Sequence, residues 1–128
     1  MNKLFSFIIC LSCMTGCQKA ELGYTGTVQF YLDSPKPLQT FGKGDTINIV
    51  CMIIHDKAMY GYRTKISDAK RHTIYYEHKV VSYNDTLYVN EQWVNGFSSS
   101  YDMRLDVVAI INESGEEESK SIAIRTEL

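Results

Sequence analysis

The chain has little that would announce a chemistry. Prolines number two in 128 residues, and tryptophan occurs once. Basic and acidic residues nearly balance, 13 against 15, for a net charge of −2. That balance excludes the basic footprint a nucleic-acid partner requires. There is no Gly-x-Ser-x-Gly, no His-Glu-x-x-His and no phosphate-binding loop, and Gly42-Lys43-Gly44 reads as a turn. No pair of carboxylates stands out as acid and base. His55, His72 and His78, with Asp56, lack the tight spacing of metal ligands, and Glu116-Glu117-Glu118 lacks the Asp-rich loop of a calcium site. No catalytic residue, metal or cofactor is therefore assigned, and the chain reads as non-enzymatic. Repeats and low-complexity segments are absent too.

Cysteine is used unevenly. Cys10, Cys13 and Cys17 crowd the first residues, and only Cys51 follows. Lys3 gives a short positive start, and Leu4 to Met14 is almost wholly apolar, too short for the roughly 20 residues a spanning helix needs. This is the shape of a signal peptide. Met14-Thr15-Gly16-Cys17 resembles a bacterial lipobox, which implies cleavage after Gly16 and acylation of Cys17. Cys10 and Cys13 then belong to the discarded h-region rather than to a redox or zinc site. Acyl chains on Cys17, at roughly 0.8 kcal/mol per buried CH₂, anchor the mature protein to a membrane. The expected organisation is a signal peptide over 1–16, a lipidated tether over 17–24 and one domain over 25–128. Cys51 keeps no partner for an intramolecular disulfide; it alternates with isoleucines and reads as a buried structural thiol.

The rest of the chain is rich in what strands use, with nine tyrosines and many β-branched residues. Strand patterns fall at 25–32, 45–55, 61–67, 72–82, 86–94, 100–111 and 119–127, with turn residues between. Pro35 and Pro37 keep 33–44 out of a sheet interior. The run 45–55 is nearly continuous in apolar residues, as a central strand buried on both faces would be, with Ile47, Ile49, Cys51 and Ile53 on one side. In 72–82, Ile74, Tyr76, His78 and Val80 share a side. No segment has helical spacing. The expected fold is all-β: a seven-stranded antiparallel immunoglobulin-like β-sandwich. Tyr101 through Ile124 resembles the last hairpin of immunoglobulin-like domains, with Tyr101 in the place of a tyrosine corner.

Lipobox and lone domain together resemble the small lipoproteins of Bacteroidota. "GKGDTINIVCMI" (42–53) resembles the corresponding stretch of their conjugative-transposon transfer lipoproteins. The resemblance implies a lipid-anchored place at the outer membrane. Gln18-Lys19-Ala20-Glu21 carries one acid where the surface-export signal has several, which leaves the periplasmic face and the cell surface both open. Asp45-Thr46-Ile47 and Asp85-Thr86-Leu87 match the phylum's O-glycosylation motif at Thr46 and Thr86; the same residues also suit turns.

An antiparallel sandwich puts the tether at the same end as connections 56–60, 82–85 and 112–118. Connections 33–44, 68–71 and 95–99 lie at the other. That distal end carries Lys70, Arg71 and Phe97, with Trp93 below, and aromatic and Arg residues on loops are favoured anchors. The implied function is a binding or assembly module with a protein partner in the envelope. An immunity or inhibitor protein against an envelope-directed toxin is the alternative, as is glycan binding on Trp93 and the tyrosines.

Overall fold

Ile47, Ile49, Cys51 and Ile53 alternate with Asn48, Val50, Met52 and Ile54, and a period of two builds a strand with unlike faces. In the computed structural model, which describes residues 27–127, this alternation belongs to a much longer element. The strands are β1 (Gln29–Ser34), β2 (Thr40–Phe41), β3 (Thr46–Asp68), β4 (Ile74–Val94), β5 (Tyr101–Ile110) and β6 (Glu117–Thr126). No helix occurs among the described residues.

β3 and β4, of 23 and 21 residues, pair antiparallel almost throughout. Their register breaks between Ile54 and Met59 and again between Met59 and Gly61. At these breaks both strands cross from one layer to the other. Up to Ile54, β3 lies between β1 and the second half of β4; from Gly61 it lies between the first half of β4 and β5. One layer thus runs β1–β3–β4 and the other β4–β3–β5–β6–β2. This is an immunoglobulin-like β-sandwich, as the strand pattern predicts.

Two details differ from expectation. Segments 45–55 and 61–67 are one strand, as are 72–82 and 86–94, because the crossings stay extended instead of turning. The connection 33–44 also contains β2, which pairs parallel to β6 through Thr40–Arg125 and Phe41–Thr126. Two residues are too few for alternation to reveal.

The core forms where the inward rows of the layers meet. Ile47, Ile49, Ile53, Leu87 and Val89 face Ile66, Leu105, Val107, Ala109 and Ile124, all at 3% exposure or less. Burying each large aliphatic side chain contributes about 1.5–3 kcal/mol. Cys51 sits in the same row, and burial pushes its thiol up to about 11, as suits an unreactive core residue. At the crossing, Met59 is fully buried. Gly61 there lets β3 and β4 approach so closely that a Cβ would lie 2.1 Å from the Val80 carbonyl oxygen.

Three side-chain expectations fail for local reasons. Val50, Met52 and Ile54 are half-exposed, because among the described residues nothing packs on the outer side of the β1–β3–β4 layer. Ile74 is 51% exposed, since a register shift between Ile66 and Ser67 turns it away from Tyr76. Tyr101 is 44% exposed, its ring against Phe97 at 4.9 Å, rather than folded inward as a tyrosine corner.

Candidate functional site

The outer face of the β1–β3–β4 layer is built by register. Its rows read Gln29–Ile54–Thr86, Tyr31–Met52–Tyr88, Val50–Asn90, Asn48–Gln92 and Thr46–Val94. Residues opposite one another on antiparallel strands point to the same side, so each row is one line of side chains. None of these residues is charged. Tyr31 is 52% exposed and Tyr88 71%, flanking Met52 about two strand spacings, or roughly 10 Å, apart. The Tyr31 hydroxyl donates to Gln29 Oε1 at 2.7 Å. Val50, Met52 and Ile54 form an apolar centre, and the amides of Asn48, Asn90 and Gln92 border it. Charges are ordinarily scattered over a surface, and their depletion around aromatic and Met residues is the composition of an interface centre.

The opposite outer face is the reverse. Arg63 binds Glu117 at 3.0 Å and Glu77 at 3.6 Å. Asp106, nearly buried, takes Arg104 at 3.2 Å and Arg71 at 3.6 Å and accepts a hydrogen bond from Ser121. A cleft of about 250 Å³ here is lined by Arg63, Lys65, Arg71, Asp106 and Glu117, whose charges largely satisfy one another.

Between the layers lies one buried carboxylate. Glu91 faces inward from β4 beside Leu87 and Val89 and is 9% exposed. It accepts from Thr64 Oγ1, from Tyr76 Oη at 2.9 Å and pairs with His78 Nδ1 at 2.9 Å. Burial pushes the Glu91 carboxyl up, but the hydrogen bonds from His78, Thr64 and Tyr76 outweigh it and hold it below its ordinary value. Burial and the neighbouring Glu91 push Tyr62 and Tyr76 up to about 12. The cluster ties the two layers together, with Thr64 Oγ1, Tyr76 Oη and His78 Nδ1 all directed at Glu91. Its sequence signal was available: Leu87, Val89, Glu91 and Trp93 share one parity, so the alternation sets a charge at a core-facing position.

The residues expected to bind at the distal end are only partly brought together. Trp93 and Phe97 pack ring to ring at 6.2 Å, with Tyr75 and Tyr101 at 4.8 and 4.9 Å from Phe97, and close the end of the core. Asn95, fully buried, fixes this corner by donating to the Gly42 carbonyl at 3.0 Å and accepting from the Phe97 amide at 3.0 Å. Arg71 turns away to Asp106 on the charged face, and Lys70 is exposed beside it. At the other end, Thr27 and Gln29 line a cleft with Ile54, His55 and Asp56, and Ala58–Tyr60 meet Tyr83 and Ile111–Glu113. Thr46 and Thr86 stand at opposite ends of the neutral face. Cys10, Cys13, Cys17 and the tether lie outside the described residues. Among the described residues no group of His, Cys, Asp and Glu could hold a metal ion, and no helix is long and apolar enough to cross a membrane.

No protein-family model and no curated protein matches the chain. Solved structures similar to it include fibronectin(III)-like modules of Clostridium thermocellum CbhA, at 17% identity and TM-score 0.46 over 77% of this chain and 96% of that one. Another is the CARDB domain of a Pyrococcus furiosus protein, at 10% identity and TM-score 0.42 over 80% of this chain and 96% of that one. The fold assignment rests on the strand order and register given above.

Proposed function

We propose that the chain is a non-enzymatic binding module, held at a bacterial envelope membrane by acyl chains on Cys17, that docks a protein partner on its neutral face. The observation that carries this reading is the uncharged Tyr31–Met52–Tyr88 row, with Val50 and Ile54 beside it, on a three-stranded layer. An aromatic and Met centre bordered by amides suits a protein partner better than the ring cluster at Trp93 and Phe97, which is spent on closing the core. An immunity or inhibitor role is the same use of this face against a toxin.

A photo-reactive residue at position 88 should give a discrete adduct in intact cells, and one at Lys65 on the charged face should not. Tyr31→Ser should cut the adduct at 88 about tenfold, the size of effect a central interface tyrosine has, with melting unchanged. Equal adducts from both faces would overturn the docking assignment. For the anchor, Cys17→Ala should move the protein from the membrane to the soluble fraction; unchanged fractionation would sink that part. The exposure and spacing of Tyr31 and Tyr88 also favour a second reading, stacking against a neutral glycan. Retarded migration in a gel containing neutral polysaccharide, lost in Tyr88→Ala, would support it.

A further inference from the structure

β4 is unusual in how much of it is left open. Among the described residues it pairs with β3 alone, so its other edge presents unpaired backbone groups over 21 residues without a proline. Natural sheets seldom leave a long edge unguarded, because it is a template for another strand. Five of the most exposed large apolar residues, Ile74, Val81, Tyr83, Tyr88 and Val94, belong to this one strand.

The first half of β4 reads Tyr75-Tyr76-Glu77-His78-Lys79-Val80-Val81, which is self-complementary about its middle. Place a second copy antiparallel to it, with a two-fold axis through His78. Glu77 then opposes Lys79 of the other copy, twice. Tyr76 opposes Val80, an aromatic and β-branched pair of the kind that stabilises antiparallel sheets. The bulge at Tyr75 sets Ile74, 51% exposed, against Val81, also 51% exposed. From Tyr76 to Val81 the strand is regular against β3, so its free edge has the geometry for a ladder.

The charges also reject the neighbouring registers. An axis perpendicular to the sheet must pass through a residue if both copies are to keep their side chains on matching faces. Moving it to Glu77 sets glutamate against glutamate, and moving it to Lys79 sets lysine against lysine. Only His78 puts opposite charges together. Within one copy Glu77 is 3.6 Å from Arg63, and the Lys79 ammonium lies 5.9 Å from the centre of the Tyr60 ring, so both heads stand on the outer face and lean towards β3, from which they must swing to meet a second copy.

We infer that the partner of this edge is a second copy of the chain. Two sandwiches join β4 to β4 about His78, making one sheet continuous through both. The neutral face lies on the other layer and stays free, so this pairing is independent of what that face binds.

The test is charge exchange in the full chain, followed by sedimentation in mild detergent at concentrations up to about 100 μM. The wild-type chain should sediment as a dimer. Glu77→Lys and Lys79→Glu should each weaken the dimer at least about tenfold, since each converts two attractive cross-strand pairs into two repulsive ones. The double variant, Glu77→Lys with Lys79→Glu, should restore it. Melting of each variant monomer, followed at high dilution, separates lost pairing from lost folding, because both residues also touch their own sheet. A monomeric wild type at the highest concentration overturns the proposal. So does a dimer indifferent to the single changes, or a double variant that folds and stays monomeric.

Discussion

Gly61→Ala should lower the melting temperature of the domain by about 10–20 °C, corresponding to a loss of about 3 kcal/mol. An alanine Cβ at this position would lie 2.1 Å from the Val80 carbonyl oxygen and 3.0 Å from the Val81 Cα. Both neighbours are backbone, so no side-chain rotation can make room. Either β4 separates from β3 or the register shifts, and a shift of one residue would turn Tyr76, His78 and Val80 outward. Gly96, with open space around its Cβ position, is the matched control, and Gly96→Ala should change stability by less than about 1 kcal/mol. Thermal denaturation followed by circular dichroism decides it; equal melting of both variants would show that the approach of β3 to β4 is slack.

Glu91→Ala should cost about 3 kcal/mol, and Glu91→Gln somewhat less. The alanine leaves the Tyr76 hydroxyl without its acceptor, and Thr64, which is fully buried, with only a long 3.5 Å contact to the His78 carbonyl. Hydrogen bonds to a charged acceptor contribute more than neutral ones, and the stranded donors remain between the layers. The amide keeps one acceptor oxygen and sets its NH₂ group against groups that also donate. The pH dependence follows from the direction of the shift. The Glu91 carboxyl is held below the ordinary 4.5 in the folded state, so its stabilisation is complete above that value and is lost as pH falls through the folded one. Acid denaturation of the wild type should therefore steepen below about pH 4.5, and Glu91→Gln should flatten that limb. Identical acid limbs would mean that Glu91 does not carry the effect.

What could be read from the sequence divides by range. The inward rows at Ile47 to Ile53 and Met103 to Ile111 follow from alternation within ten residues, which is a local property, and the sandwich follows from them. The neutral face does not. Tyr31, Met52 and Tyr88 sit in three strands, and only the register of two ladders aligns them. Alternation within one strand does not show that Tyr31 and Tyr88 share a row, and the apolar run of β3 predicts cover on both sides of Met52. Arg71 shows the opposite error. Adjacent in sequence to a loop at the distal end, it bonds Asp106 on the charged face, because the turn at 68–71 directs it there with a φ of 63°. Glu91 was legible in principle, since parity placed it in the core, but its partners on the first half of β4 required the bend to be known.

The continuity of β3 and β4 across both layers bears on how the chain acquires its shape. The pair is a single hairpin, joined by the short turn between Asp68 and Ile74, so its ladder can close outward from one local loop. Most of the rungs between strands 46–68 and 74–94 thus need little loop-closure entropy, while β1, β5 and β6 attach afterwards to a ribbon already bent at Met59 and Gly61. Because that ribbon is the spine of both layers, neither sheet can melt without unravelling the other, and amide exchange across the two should report one shared opening event.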